Sequence, residues 1–65
     1  MTIGEKIHEI RIRRCITLEE FATAVGTHTE TVCRWETGKA VPSLKSIRKI
    51  ADAFALDVTV LTKCL

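Results

Sequence analysis

Apolar residues recur at helical spacing on both sides of Gly26, where the pattern stops and then begins again. These positions are Phe21, Ala22 and Val25 before the glycine and Val32 and Trp35 after it. Ala22 is small where two helices would come close, and Gly26 can adopt the left-handed conformation that ends a helix. Residues 18–38 therefore predict a helix-turn-helix, a motif whose second helix enters the DNA major groove.

Three Thr-x-x-Glu segments, at residues 2–5, 17–20 and 27–30, predict helix starts. In such a capping box the Thr hydroxyl and the Glu carboxylate satisfy free amides of the first turn. The first helix begins at Thr2 and buries Ile3, Ile7 and Ile10 along one face. The second helix runs from Leu18 to about Val25, and the third from His28 to a stop at Gly38.

Two further helices follow a loop in which Pro42 blocks helix continuation and Ser43 offers a cap. The fourth is predicted over residues 44–55, and Asp57 caps a fifth from Val58 to about Lys63 with Leu61 inward. The apolar stripe of the fourth helix is Leu44, Ile47, Ile50, Ala51 and Phe54. No strand-like alternation competes, so residues 1–65 predict one small all-α domain.

Composition narrows the functional classes. The chain has 46% hydrophobic and 28% charged residues, no membrane-length apolar run and no signal-peptide pattern, so a cytoplasmic globular domain without membrane contact is expected. Its three cysteines have no C-x-x-C spacing and its two histidines have no ligand spacing to them, so neither a disulfide framework, a metal site nor a cofactor is expected. A net charge of +2 by itself says little about nucleic acid.

The outward side of the third helix, opposite Val32 and Trp35, carries the candidate base-reading residues. They are Thr29, Glu30, Cys33, Arg34 and Thr37. Arg34 suits a bidentate contact to guanine, Thr29 a thymine methyl and Glu30 the amino group of cytosine. Glu30 and Arg34 are also spaced to form a solvated intrahelical ion pair, and the two interpretations combine if Glu30 holds Arg34 in position for a base.

These features together resemble the phage repressor and Cro family of regulators, also called the Xre type. The resemblance spans roughly Ile3 to Leu61, and it is carried by Arg11, Thr17, Ala22, Gly26, Trp35-Glu36-Thr37-Gly38, Pro42-Ser43 and Ile50-Ala51. It implies a five-helix, lambda-repressor-like all-α fold with the helix-turn-helix at helices 2 and 3. It also implies sequence-specific binding of double-stranded DNA as a dimer and regulation of transcription.

The resemblance also implies an ion pair between Arg11 and Glu36 that joins the first helix to the third and leaves the guanidinium able to reach a phosphate. Glu36 lies at the edge of the buried face, so its charge needs a partner.

The sequence departs from the family pattern at several turns. Leu18 stands where glutamine is usual, although the amides at the start of its helix can still bind a phosphate. Cys15 and Ala55 stand where glycine is usual, and a positive φ there carries a conformational cost. For the third helix, the capping box indicates Thr27 as the cap and the family pattern indicates His28.

Contacts to the DNA backbone are expected from lysines near the third and fourth helices and from helix starts, although a solvated surface role is the alternative for each lysine. The expected phosphate-contacting residues are Lys6, Arg11, Leu18, Thr27, His28, Lys39 and Lys45.

The leading hypothesis is a transcription regulator, expected to act as a repressor, that binds a two-fold operator as a homodimer. Val58, Val60 and Leu65 are apolar residues without an obvious core partner and form the expected dimer patch. The alternative is a protein-interaction module of the same fold, such as an antitoxin that sequesters a partner protein. No nucleophile-base arrangement or phosphate-cradling glycine loop indicates an enzyme.

Overall fold

The computed structural model describes residues 1–65 and contains five helices and no strand. The helices are α1 (Ile3–Arg13), α2 (Leu18–Val25), α3 (Thr29–Thr37), α4 (Leu44–Ala53) and α5 (Thr59–Thr62). This architecture confirms the all-α, five-helix prediction. None of the helices combines the length and the apolar character needed to cross a bilayer.

The first two helices begin as their capping boxes predict. The hydroxyl oxygen of Thr2 accepts from the Glu5 amide at 3.1 Å, and the Thr2 amide donates to the Glu5 carboxylate at 2.8 Å. Thr17 and Glu20 repeat this arrangement at 3.1 and 2.9 Å. Each box satisfies otherwise free amides of the first turn, so both helix starts are determined locally.

The capping box predicted at Thr27 is absent, and α3 begins at Thr29 with His28 in the cap position. The cause lies in the preceding turn. Gly26 has φ +81°, and the Thr27 amide donates to the Ala22 carbonyl at 2.9 Å, which closes α2 in a Schellman motif. Thr27 therefore belongs to the end of α2, and the cap residue of α3 makes no side-chain hydrogen bond to the helix.

Helix α4 is two residues shorter than predicted, because Ala55 takes a left-handed conformation with φ 53°. Cys15 has the same φ at the end of α1, so both positions take the conformation for which glycine is favoured. Leu44 was expected in the apolar stripe of α4 but is 63% exposed. It is the first residue of the helix, beyond the neighbouring elements that bury Ile47 and Ile50.

Asp57 caps the last helix as predicted, because its carboxylate accepts from the Thr59 amide at 3.0 Å. Leu61 is completely buried. The apolar residues of this segment are less exposed than expected, because Val58 and Val60 are half-buried and Val58 packs against the core. Leu65 alone of the predicted dimer patch is an exposed large side chain.

Residues from all five helices form one core, whose members are Ile3, Ile7, Ile10, Phe21, Ala22, Val25, Val32, Trp35, Ile47, Ile50 and Leu61. Beside this core, Phe54 stacks on Phe21 with ring centroids 4.9 Å apart. Arg14 lies over the outer side of the Phe54 ring, and its guanidinium donates to the Phe54 carbonyl at 3.0 Å. This contact ties the end of α1 to the end of α4.

Helices α1 and α3 approach most closely at Gly4. A Cβ atom built on Gly4 would overlap the main-chain carbonyl oxygen of Trp35 and crowd that of Glu36. Because both obstacles are backbone atoms of a packed helix, they cannot move aside without shifting α3. Gly4 thus sets the spacing between α1 and α3.

We expect Gly4→Ala to destabilise the fold by about 1–3 kcal/mol through overpacking, although Gly→Ala in an open helix position stabilises by roughly 0.5–1 kcal/mol. Urea unfolding followed by circular dichroism measures the change. Arg13→Ala, on the exposed side of the same helix, is the control and should have little effect. A more stable Gly4→Ala protein would contradict the close approach.

We expect Ala55→Gly to stabilise the protein by about 0.5–1 kcal/mol, because it removes the cost of a left-handed alanine and the gain exceeds the added chain entropy. Ala53→Gly, two residues earlier and inside α4, should instead destabilise by about 0.5–1 kcal/mol. Thermal unfolding of the two variants should therefore move in opposite directions, and shifts of the same sign would refute the explanation.

Candidate nucleic-acid interface

Helix α3 has one side fixed in the core and the other open. Val32 and Trp35 are buried, with 0% and 4% of their surface exposed. The outward side carries five exposed residues: Thr29, Glu30, Cys33, Arg34 and Thr37. The last four, together with Lys39 just after the helix, line a shallow concavity. The structure therefore brings the candidate base-reading residues together on one accessible face.

Glu30 and Arg34 form the intrahelical ion pair that their spacing allows, with 2.7 Å between Arg34 Nη2 and Glu30 Oε1. The side chains remain 75% and 59% exposed, respectively. The contact uses only one of the five N–H groups of the guanidinium, so Arg34 keeps donors for a ligand. Glu30 thus restrains Arg34 without covering it.

Thr37 presents an acceptor rather than a donor on this face. Its hydroxyl lies 2.9 Å from the Cys33 carbonyl oxygen and donates within the helix. The oxygen lone pairs of Thr37 remain available to a ligand donor.

A buried carboxylate anchors α3 to α1. Glu36 is 9% exposed in its side chain and accepts from Arg11 Nε at 2.8 Å and from Arg11 Nη2 at 3.1 Å. Arg11 also donates to the Ile16 carbonyl at 3.2 Å. Two hydrogen bonds to one carboxylate fix the guanidinium in its plane and set the angle at which α3 meets α1.

His8 completes this cluster and was not among the residues that the sequence indicated. Its Nδ1 lies 2.8 Å from Glu36 Oε1. Its position in the sequence could have indicated it, because His8 precedes Arg11 by three residues and so lies on the same side of α1. Burial acts to raise the pKa of Glu36, but the hydrogen bonds from Arg11 and His8 outweigh it and hold that pKa below the usual 4.5. The hydrogen bond to Glu36 raises the pKa of Arg11.

Arg11 was also expected to contact a phosphate. Its side chain is only 14% exposed, and each of its three guanidinium nitrogens already donates to Glu36 or to Ile16. The structure therefore places it chiefly as the support of α3.

The starts of α2 and α3 both present free main-chain amides. The N–H groups of Leu18 and Glu19 on α2, and of Thr29 and Glu30 on α3, have no acceptor within the protein. Free amides at a helix start, together with the helix dipole, favour an anion. The Leu18 side chain is half-buried against the core, so only the main-chain amide of Leu18 is available for the expected phosphate contact.

Of the other expected phosphate contacts near α3, Thr27 is half-buried and its amide is already bonded. His28 is exposed at the start of α3. Lys39 and Lys45 are exposed and make no ion pair.

Lys6 does not belong with this set. It pairs with Glu9 at 2.9 Å. Gly4 and Arg11 face α3, whereas Lys6 lies about 200° around α1 from Gly4 at 100° per residue. The side chain projects from the flank that faces away from α3, and the phosphate contact of Lys6 stays a prediction.

A family model described as helix-turn-helix matches residues 7–61, which include most of α1, all of α2, α3 and α4, and most of α5. The chain belongs to the helix-turn-helix family. This match confirms the resemblance to phage repressor and Cro (Xre-type) regulators. Within such a motif α2 is the first helix and α3 is the second.

The helix-turn-helix domain is also similar to a curated protein, the HTH-type transcriptional activator BcrR of Enterococcus faecalis. The two are 26% identical over 58 residues, which cover 89% of this chain and 28% of the relative. The chain therefore spans less than a third of that relative's length. The family match supports a role in DNA binding.

We expect Glu36→Gln to lower stability at neutral pH by about 1–2 kcal/mol, because it weakens charge-assisted hydrogen bonds. The folded-state pKa of Glu36 lies below 4.5, so its contribution is present above that pH and is lost as the pH falls further. The difference in unfolding free energy between the two proteins should therefore shrink below about pH 4.5.

Urea unfolding across this pH range tests the expectation. Glu19→Gln is the matched control, since Glu19 is exposed and makes no ion pair. If the penalty of Glu36→Gln were the same at every pH, the charge of Glu36 would not be its source.

Proposed function

We propose that this helix-turn-helix domain binds a two-fold operator in double-stranded DNA as a homodimer, with α3 in the major groove, and represses the adjacent promoter. The observation that carries the proposal is the division of α3 into two sides. Trp35 and Glu36 hold the inner side against the core and α1, while the outer side offers exposed polar groups that have few internal partners.

The Glu30–Arg34 pair favours a G·C base pair within each half-site. Arg34 retains the parallel N–H groups that match the O6 and N7 acceptors of guanine, and Glu30 is an acceptor suited to the cytosine amino group. The negative charge of Glu30 also disfavours a phosphate at this position, which directs Arg34 toward bases. Thr29 and Cys33 supply smaller contacts on the same face.

Two kinds of protein group are proposed to bind the phosphates on either side of the groove. The free amides at the starts of α2 and α3 bind them through the helix dipole, and His28, Lys39 and Lys45 add side-chain contacts. Counterion release at these positions would make the affinity fall steeply with salt.

The proposed dimer contact lies at the C-terminal end of the chain. Leu65 is 64% exposed and Val60 is half-buried, so both have apolar surface to lose in a dimer, whereas Val58 already packs on the core. A two-fold dimer requires half-sites about one helical turn, roughly 34 Å, apart. Repression then follows from occupancy, since a dimer bound over a promoter excludes the polymerase.

Selection of bound sequences from random duplexes tests the proposal directly. A two-fold motif with half-sites one turn apart is expected, and sedimentation with the selected duplex should give two chains per site. A promoter reporter that contains this site should lose expression when the protein is present. Failure to enrich any sequence, even at low salt, would refute operator binding, and rising expression would refute repression.

We expect Arg34→Ala to relax the preference at one base pair per half-site, at a cost of about 1–3 kcal/mol per contact. Arg48→Ala is the matched control, because Arg48 is an exposed, unpaired arginine on α4. Competition binding with single-base variants of the operator measures both. An equal loss of affinity for all sequences in Arg34→Ala would show that Arg34 contacts only phosphate.

A further inference from the structure

His8 lies in a second cleft, directly beside the proposed reading face. Glu5 and His8 from α1 and Glu36 and Thr37 from α3 line this cleft. Thr37 also lines the concavity that contains Arg34, so the two surfaces are continuous. The His8 side chain is 54% exposed although one of its ring nitrogens is bonded to Glu36.

The bond to Glu36 determines what His8 can bind. Nδ1 lies 2.8 Å from a carboxylate oxygen, so it carries the proton that it donates there. Nε2 has no partner within the protein. In the neutral ring Nε2 is then only an acceptor, which cannot bind a phosphate oxygen. In the protonated ring Nε2 is a donor with a positive charge, which binds a phosphate oxygen well.

The dimensions of DNA place a phosphate near this cleft. The major groove is about 12 Å wide, and a helix with its side chains is about 10–12 Å across. A helix that lies in the groove therefore has a phosphate backbone along each flank. On the flank of α3 at Thr37 the neighbouring element is α1, whose exposed residues there are Glu5 and His8, and His8 alone of the two can donate to a phosphate.

Binding of a phosphate beside Nε2 and protonation of the His8 ring favour each other. The facing charged groups are Glu36 from α3 and Glu5 and Arg11 from α1 itself. The two carboxylates are negatively charged, and Arg11 Nη2, 3.2 Å from Nδ1, is positively charged. An approaching phosphate adds negative charge beside Nε2, so each binding event promotes the other.

We propose that His8 is a phosphate-binding side chain that acts only when its imidazole is protonated, so that the domain binds DNA more tightly as the pH falls. This inference rests on the proposed DNA binding.

The test measures affinity for the selected duplex by fluorescence anisotropy at about pH 5.5 and pH 8 and at one salt concentration. We expect the native protein to bind about tenfold more tightly per half-site at the lower pH, as each chain gains one charge-assisted hydrogen bond. His8→Gln keeps a neutral donor for Glu36 and should abolish most of this difference. His8→Lys carries a permanent charge and should bind at pH 8 about as tightly as the native protein does at pH 5.5.

The chain has two histidines, which supplies a matched control. Because His28 is itself placed at a phosphate, the His8 variants are also measured in a His28→Gln background, where His8 is the remaining imidazole. His28→Gln alone should keep a pH dependence that the double variant His8→Gln/His28→Gln lacks. Circular dichroism of each variant at both pH values verifies that it is folded. The inference is overturned if the pH dependence survives in the double variant or disappears in His28→Gln, or if the native affinity is independent of pH while operator binding itself holds. Absence of binding to every duplex at both pH values would overturn the proposed function as well.

Discussion

The orientation of α3 depends on one buried carboxylate. Glu36 is nearly covered by protein, so its charge is tolerated only because Arg11 and His8 donate to it. Gly4, on the same side of α1, lets the two helices come close enough for these bonds to form. Three residues of α1 therefore serve to hold α3. The proposed reading of DNA requires this rigidity, because a base contact has value only if its side chain is held at a defined angle.

The first four helices all end with the same hydrogen-bonded turn. In each of the first four helices a carbonyl near the C-terminus accepts from the amide five residues later, as in the pair Arg34 and Lys39 at 2.9 Å. The residue directly before the donating amide has a positive φ in all four cases. It is glycine at two of the helix ends, and Cys15 and Ala55 at the other two. Both of these strained ends lie beside the stack of Arg14 on Phe54, which ties them together.

The two sides of α3 differ in how many internal partners their polar groups have. On the inner side the carboxylate of Glu36 takes part in three hydrogen bonds. On the outer side Glu30 and Arg34 share a single hydrogen bond, and the first amides of the helix have none. Groups with few internal hydrogen bonds have few to break on meeting a ligand and can exchange their water for it, which makes the outer side suited to a polar, negatively charged partner.

The sequence by itself determined the five helices, two of the capping boxes, the stop at Gly38 and the division of α3 into inner and outer sides. These features depend on hydrogen bonds within a few residues and on helical periodicity, both of which are readable locally. Only the tertiary structure decided that Lys6 faces away from α3, that Leu44 is uncovered and that His8 joins Glu36. The decisive contacts join residues far apart in the chain, such as His8 with Glu36 across 28 positions and Arg14 with Phe54 across 40. Local pattern carries no information about which distant surface a side chain will meet, because that is determined by how the helices pack.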